Sequence, residues 1–167
     1  MIINVDNFID GEIRNISFSE TILLPEGYSD NREVKTSVVG QIANIGGKFK
    51  FTGKIHAILT FICDLCLTPF EFELETDIEE IFSKVADDEN DYWLFSDKAI
   101  DLEPAVLSNI MLNMPMKSVC SDECKGLCSK CGHNLNDGEC GCDRTYINPK
   151  FEKLKALFEE SENDEEV

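Results

Sequence analysis

No run of this 167-residue chain is apolar for long enough to span a membrane. The longest, around Ile58 to Cys66, is interrupted by Thr60 and Asp64. Bases are scarce, with 15 Lys and Arg against 33 Asp and Glu and a formal net charge of −18. That balance argues against uniform, sequence-blind binding of nucleic acid, which depends on neutralising phosphates. The first ten residues carry Asp6 and Asp10 and no basic cluster, unlike a secretory leader. Cytoplasm is therefore the expected compartment, where thiols stay reduced. Catalytic signatures are missing as well: no nucleophile elbow, no phosphate-binding loop, no dinucleotide fingerprint, and no evident base beside the acidic clusters. The expectation is a protein that is not an enzyme.

What the chain does have is cysteine. Six of its eight thiols lie between Cys120 and Cys142, in surroundings with little apolar character. Packing does not explain such density, and in a reducing compartment metal is favoured over disulfides. Cys128 and Cys131 are two residues apart and Gly132 follows, the pattern of a zinc knuckle in which both sulfurs reach one ion. Cys140-Gly-Cys142 offers a second half-site, and the intervening Asn-Leu-Asn-Asp-Gly has turn chemistry. The sharpest ligand set is thus Cys128, Cys131, Cys140 and Cys142 around a structural zinc ion, with no position left for a reactive water. Cys120 and Cys124 are then unassigned. They are spare, or bridge within a two-metal cluster, or join Cys63 and Cys66 in a second all-cysteine site. Cys63 and Cys66 read alternatively as reduced thiols in a hairpin turn or as a thiol-redox or metal-responsive pair, although no helix start follows them to lower a thiol pKa. Cys124, Cys128 and Cys131 also match the CxxxCxxC pattern of radical-SAM iron–sulfur enzymes, but only 36 residues follow Cys131, too few for the large barrel that chemistry uses.

Periodicity gives an α+β architecture: a mostly antiparallel β-sheet with a packed helix, then a small zinc-binding module and a closing helix. Residues 1–22 alternate loosely through Ile3, Val5, Ile13, Ile16 and Phe18, enough for one or two strands. Residues 25–33 form a loop by composition. Phe49, Phe51, Ile55, Ala57, Leu59 and Phe61 alternate with Lys48, Lys50, Thr52, Lys54 and His56; Phe70, Phe72 and Leu74 alternate with Glu71, Glu73 and Glu75. These are two half-buried strands of one hairpin, with Cys63 and Cys66 at its turn. An irregular acidic loop is expected over 87–98. Leu102, Val106, Ile110 and Met114 recur every four residues, predicting an amphipathic helix with Asp101 as N-cap, Pro104 in its first turn and Pro115 ending it. The expected divisions are a β-rich domain at 1–116, the cysteine module at 117–147, a helix at 148–160 with Phe151, Leu154, Leu157 and Phe158 on one face, and an acidic, disordered tail at 161–167.

Three stretches together resemble the YceD-like large ribosomal RNA subunit accumulation proteins of bacteria and plastids. Phe61-Ile-Cys63-Asp-Leu-Cys66-Leu-Thr-Pro69-Phe70 is similar to that family's Cys-x-x-Cys hairpin. Ile100-Asp101-Leu102-Glu103-Pro104, running on to Met114-Pro115-Met116, is similar to its acidic-start helix. Cys124-Lys-Gly126-Leu127-Cys128, Cys131-Gly132, Asn134-Leu135-Asn136 and Cys140-Gly-Cys142 resemble the cysteine-rich extension of Gram-positive members. The Asn148-Pro149-Lys150 start of the last helix resembles the closing segment, where many members have Asp-Pro-Arg. The resemblance implies a non-enzymatic role in accumulation of 23S ribosomal RNA, through binding the RNA or an assembling large subunit. Residues 117–155 carry seven bases and six acids, so the strongly negative charge lies elsewhere. A zinc tetrathiolate adds two further negative charges, so any RNA contact must be local. The candidates are Lys48, Lys50 and Lys54 on a strand face and Lys125, Lys130 and Arg144 in the module. A basic ribosomal protein is an alternative partner for the acidic segments.

Overall fold

The computed structural model describes residues 1–28, 32–86, 92–96 and 98–143. The helix expected at 148–160, the tail and Arg144 lie outside the described residues. Alternation of apolar and polar side chains builds most of the structure. Strands β1 (Ile2–Asn4), β2 (Ile13–Leu23), β3 (Glu33–Ile45), β4 (Lys48–Ile62), β5 (Pro69–Ser83), β6 (Trp93–Leu94) and β7 (Ala99–Asp101) precede one helix, α1 (Glu103–Asn113). β2-β3-β4-β5-β6 form one sheet, antiparallel except for the β5–β6 pair, while β1 and β7 pair antiparallel in a second. The α+β reading of a mostly antiparallel sheet with a packed helix holds.

The β4–β5 hairpin carries the core. Its register runs from Phe49 opposite Phe82 to Ile62 opposite Pro69. Phe51, Ile55, Ala57 and Leu59 are buried on one face, joined by Leu74, Ile78 and Phe82 from β5. β3 adds Val34, Val38 and Ile42 to the same face and is joined to β4 by Gly46 and Gly47, with φ of 61° and 85°. Two left-handed residues between the strands match the right-handed twist of the hairpin they connect. β3 is hidden in the sequence because its inward row is diluted by Thr36, Gly40 and Asn44.

Helix α1 packs Ala105, Val106 and Ile110 on this core, with Leu107, Met111 and Met114 partly buried beside them. Pro104 sits in its first turn and Met114 is extended before Pro115, as expected. The cap differs. Leu102 occupies the N-cap position, and Asp101, still in β7, accepts the Glu103 backbone N–H at 3.0 Å through its carboxylate. The 87–98 stretch is not wholly irregular, because β6 lies in it and pairs parallel with β5. There the Trp93 indole N–H donates to the Glu80 carboxylate at 3.0 Å, and Asn109 of α1 donates to the other Glu80 oxygen at 2.8 Å. Among the described residues no helix is long and apolar enough to cross a membrane.

Gly40 and Gly53 face each other across β3 and β4. A Cβ on Gly40 would stand 2.4 Å from the Thr52 carbonyl oxygen and 2.7 Å from the Gly53 Cα. Both neighbours are backbone and cannot swing away. Gly40→Ala is therefore expected to cost about 1–3 kcal/mol of stability, read as a lower urea midpoint at unchanged slope.

Candidate metal centre

The eight cysteines resolve into two groups of four. Within each, the sulfurs all lie within 4.8 Å of one another: Cys63, Cys66, Cys120 and Cys124 in one, Cys128, Cys131, Cys140 and Cys142 in the other. Either group could hold a metal ion. The second is the set expected from spacing. The first draws two thiols from the hairpin and two from the segment after α1, which the sequence left as one of three possibilities. Cys124 thus belongs with the hairpin, apart from Cys128 and Cys131, so the three cysteines of the CxxxCxxC pattern do not converge on one site.

The hairpin group is assembled by the β4–β5 turn. The Cys63 N–H donates to the Thr68 carbonyl at 3.0 Å, the Leu67 N–H returns to the Cys63 carbonyl at 2.9 Å, and Leu67 adopts a left-handed φ of 56°. Cys63 and Cys66 are buried. A reciprocal clamp brings the later segment in: the Asp64 N–H donates to the Ser118 carbonyl at 2.7 Å and the Ser118 N–H to the Asp64 carboxylate at 2.8 Å. This sets Cys120 Sγ 3.7 Å from Cys66 Sγ and Cys124 Sγ 3.8 Å from Cys63 Sγ.

The module group is built in the same way. The Cys128 N–H donates to the His133 carbonyl at 2.8 Å, the Gly132 N–H to the Cys128 carbonyl at 2.9 Å, and Gly132 has φ 73°. His133 contributes backbone here and is not among the grouped ligands. The two groups touch. The Leu127 N–H donates to the Leu65 carbonyl at 2.9 Å, and Gly126 is so close that a Cβ there would stand 3.0 Å from the Leu65 oxygen. Asn136 links them more directly: its side-chain oxygen accepts the Lys125 N–H at 2.9 Å while its amide nitrogen donates to Cys124 Sγ at 3.4 Å. The role of Asn136 and the Asp64–Ser118 clamp were not picked out by sequence reasoning; the Asn134-x-Asn136 pair was a visible signal for the first, and the second had none.

The thiols within each group differ in how readily they ionise. Burial raises the Cys63 thiol, but N–H groups of Cys120, Cys66 and Leu65 outweigh it and bring the pKa to about 6. N–H groups of Cys131 and Lys130 bring Cys128 to about 6 as well. The Asn136 amide lowers Cys124. In contrast, Cys120 is pushed up to about 12, first by Cys124, and Cys142 to about 12, first by Cys131. The hairpin group therefore contains two thiols with lowered pKa and the module group one, and each group has one thiol, Cys120 or Cys142, that its cysteine neighbours keep protonated. A bound metal ion would remove that opposition.

The predicted cationic contacts fall in two environments. Lys50 pairs with Glu79 at 2.6 Å, Lys54 with Asp77 at 3.8 Å and His56 with Glu73 at 4.0 Å. Lys48 lies over the Tyr92 ring at 4.3 Å. This face also carries an exposed row of five carboxylates, Glu71, Glu73, Glu75, Asp77 and Glu79, along β5. Lys125 and Lys130 are exposed and make no salt bridge among the described residues.

A family model described as large ribosomal RNA subunit accumulation protein YceD matches residues 51–158, from the core of β4 through both cysteine groups. An uncharacterized protein of Mycobacterium tuberculosis is 29% identical over 113 residues, which cover 64% of this chain and 54% of that one. The chloroplastic YCED homolog 1 of Arabidopsis thaliana is 32% identical over 68 residues, 41% of this chain and 21% of that one. YlbN of Bacillus subtilis, also uncharacterized, is 27% identical over 157 residues, 89% of this chain and 91% of that one. The chain thus spans about half the length of the mycobacterial relatives. No solved structure matches. With the family model covering well over half of the sequence, the chain belongs to the YceD family.

Proposed function

We propose that this protein supports accumulation of 23S ribosomal RNA by binding an assembling large ribosomal subunit in the cytoplasm, without catalysing a reaction. Membership of a family named for large ribosomal RNA subunit accumulation is the observation that carries this reading. The module is held by a structural zinc ion on Cys128, Cys131, Cys140 and Cys142. A complete set of four thiolates supports that role, since it offers no open coordination position for a substrate or water.

Electrostatics favour a divided contact surface. On the strand face, a phosphate backbone would meet the β5 carboxylates that already engage Lys50 and Lys54. Lys125 and Lys130, on the module, are exposed and better placed for RNA phosphates. The carboxylate row supports a second contact of opposite sign, with a basic ribosomal protein.

Cell lysate resolved by sedimentation should place the protein with immature large subunits, and loss of the protein should lower 23S relative to 16S RNA. Migration only with free protein would refute the proposal. Lys125→Glu with Lys130→Glu should weaken association and reduce its salt dependence by roughly one unit of slope per lost phosphate contact. Lys50→Glu with Lys54→Glu should change it little. Glu73→Lys with Asp77→Lys should weaken association only if a basic protein is the partner on that face.

A further inference from the structure

The hairpin turn that carries Cys63 and Cys66 repeats, bond for bond, the knuckle that carries Cys128 and Cys131. In each, the N–H of the first cysteine donates to the carbonyl five residues on, at 3.0 Å for Cys63 to Thr68 and 2.8 Å for Cys128 to His133. In each, the N–H of the residue after the second cysteine returns to the first cysteine's carbonyl, at 2.9 Å in both. That residue is left-handed in each, Gly132 at φ 73° and Leu67 at φ 56°. Gly takes this conformation freely, whereas a side chain of leucine's size is strained there. Leu67 is the only non-glycine residue with positive φ among the described residues. Strain of this kind persists where the surroundings demand it, often at a functional site. Hairpin turns also use left-handed residues, as Gly46 and Gly47 do between β3 and β4, but at Leu67 the position is filled by a branched side chain within the hydrogen-bond pattern of the knuckle.

The sulfur spacing agrees. Four sulfurs at about 2.3 Å from a central zinc stand about 3.8 Å apart along each edge of the tetrahedron. The observed edges are 3.8 Å for Cys63–Cys124 and 3.7 Å for Cys66–Cys120, far from the roughly 2.05 Å of a disulfide. The group also has the donors that metal thiolates attract: the Cys120 N–H on Cys63 Sγ at 3.4 Å and the Asn136 amide on Cys124 Sγ at 3.4 Å.

We propose that Cys63, Cys66, Cys120 and Cys124 form a second zinc site, which staples the β4–β5 turn to the chain after α1, and that Asn136 couples it to the module site. Asn136 stands in the loop between the two halves of the module's ligand set. Closing that loop on its own ion presents the Asn136 amide to Cys124. The inference extends the zinc reading of the module and is independent of the ribosomal one.

The full-length protein, purified anaerobically under reduction and loaded with zinc, should contain two zinc ions per chain and no iron. Cys63→Ser with Cys66→Ser should leave one, as should Cys128→Ser with Cys131→Ser, and the fourfold variant none. One ion in the parent chain, kept when Cys63 and Cys66 are replaced, would overturn the hairpin site and leave the module site standing; the converse would overturn the module site alone. If the serine variants fail to fold, cobalt titration of the parent chain decides. Two equivalents of tetrahedral thiolate absorption support the proposal and one overturns it. In chelator competition, Asn136→Ala should weaken by about tenfold the step that the Cys63 and Cys66 replacements abolish. An unchanged step would refute the coupling.

Discussion

The β4–β5 hairpin is the constraint on which the other elements depend. Two strands of 15 residues pair along almost their whole length, and the side chains of each alternate between core and solvent over most of it. A slip of one residue would send Lys50, Lys54 and the β5 carboxylates inward and Phe51, Ile55 and Ile78 outward, so the register is strongly enforced. Each fully buried large apolar side chain adds about 1.5–3 kcal/mol to that preference. With the register fixed, the position of the turn is fixed too, and so is the place where Cys63 and Cys66 emerge. The helix is bound to the same sheet, which directs residues 117–124 back onto that turn.

The two ends of the molecule differ in what is available to hold them. The sheet and α1 share one continuous apolar cluster. Beyond α1 that resource runs out: Cys128 and Leu135 are the only apolar side chains buried among described residues after Met114. A few backbone hydrogen bonds cannot offset the entropy of ordering such a segment. Ligation of a metal ion such as zinc by four thiolates would supply on the order of 10 kcal/mol. That is enough to order a module with almost no core. The opposed ladders of charge on the strand face, by comparison, contribute little to stability, since exposed pairs are worth about 1 kcal/mol or less.

How much of this was legible in the sequence follows from where the signal was pure. The β4 and β5 rows are long, with alternating apolar runs such as Ile55 to Phe61 and Phe70 to Leu74 on either side of the turn, so the hairpin and its turn could be read directly, as could the α1 stripe bounded by Pro104 and Pro115. β3 was obscured because Thr36, Gly40 and Asn44 share its inward face, two of them fitted to the close approach of β4 and to the turn at its end. The cap of α1 was displaced by one position because Asp101 serves β7 and reaches Glu103 from there. Of the thiols, Cys128, Cys131, Cys140 and Cys142 were legible because Gly132 and Gly141 announce the left-handed geometry. The hairpin group was less so: its left-handed position is a leucine, and its two pairs of thiols lie more than fifty residues apart in sequence. Tertiary contacts such as Asp64 with Ser118, which join these distant thiols, leave no local pattern at all.

Trp93, the chain's single tryptophan, sits beside Phe82 at the far end of β5 from the cysteine turn, its indole held by Glu80, which also grips α1 through Asn109. Its fluorescence is consequently a private signal from the apolar end of the sheet. Thiolate-to-metal absorption would arise only at the opposite end. With metal bound, the molecule would carry two separately addressable chromophores, so the order in which its ends come apart could be observed without attaching a label.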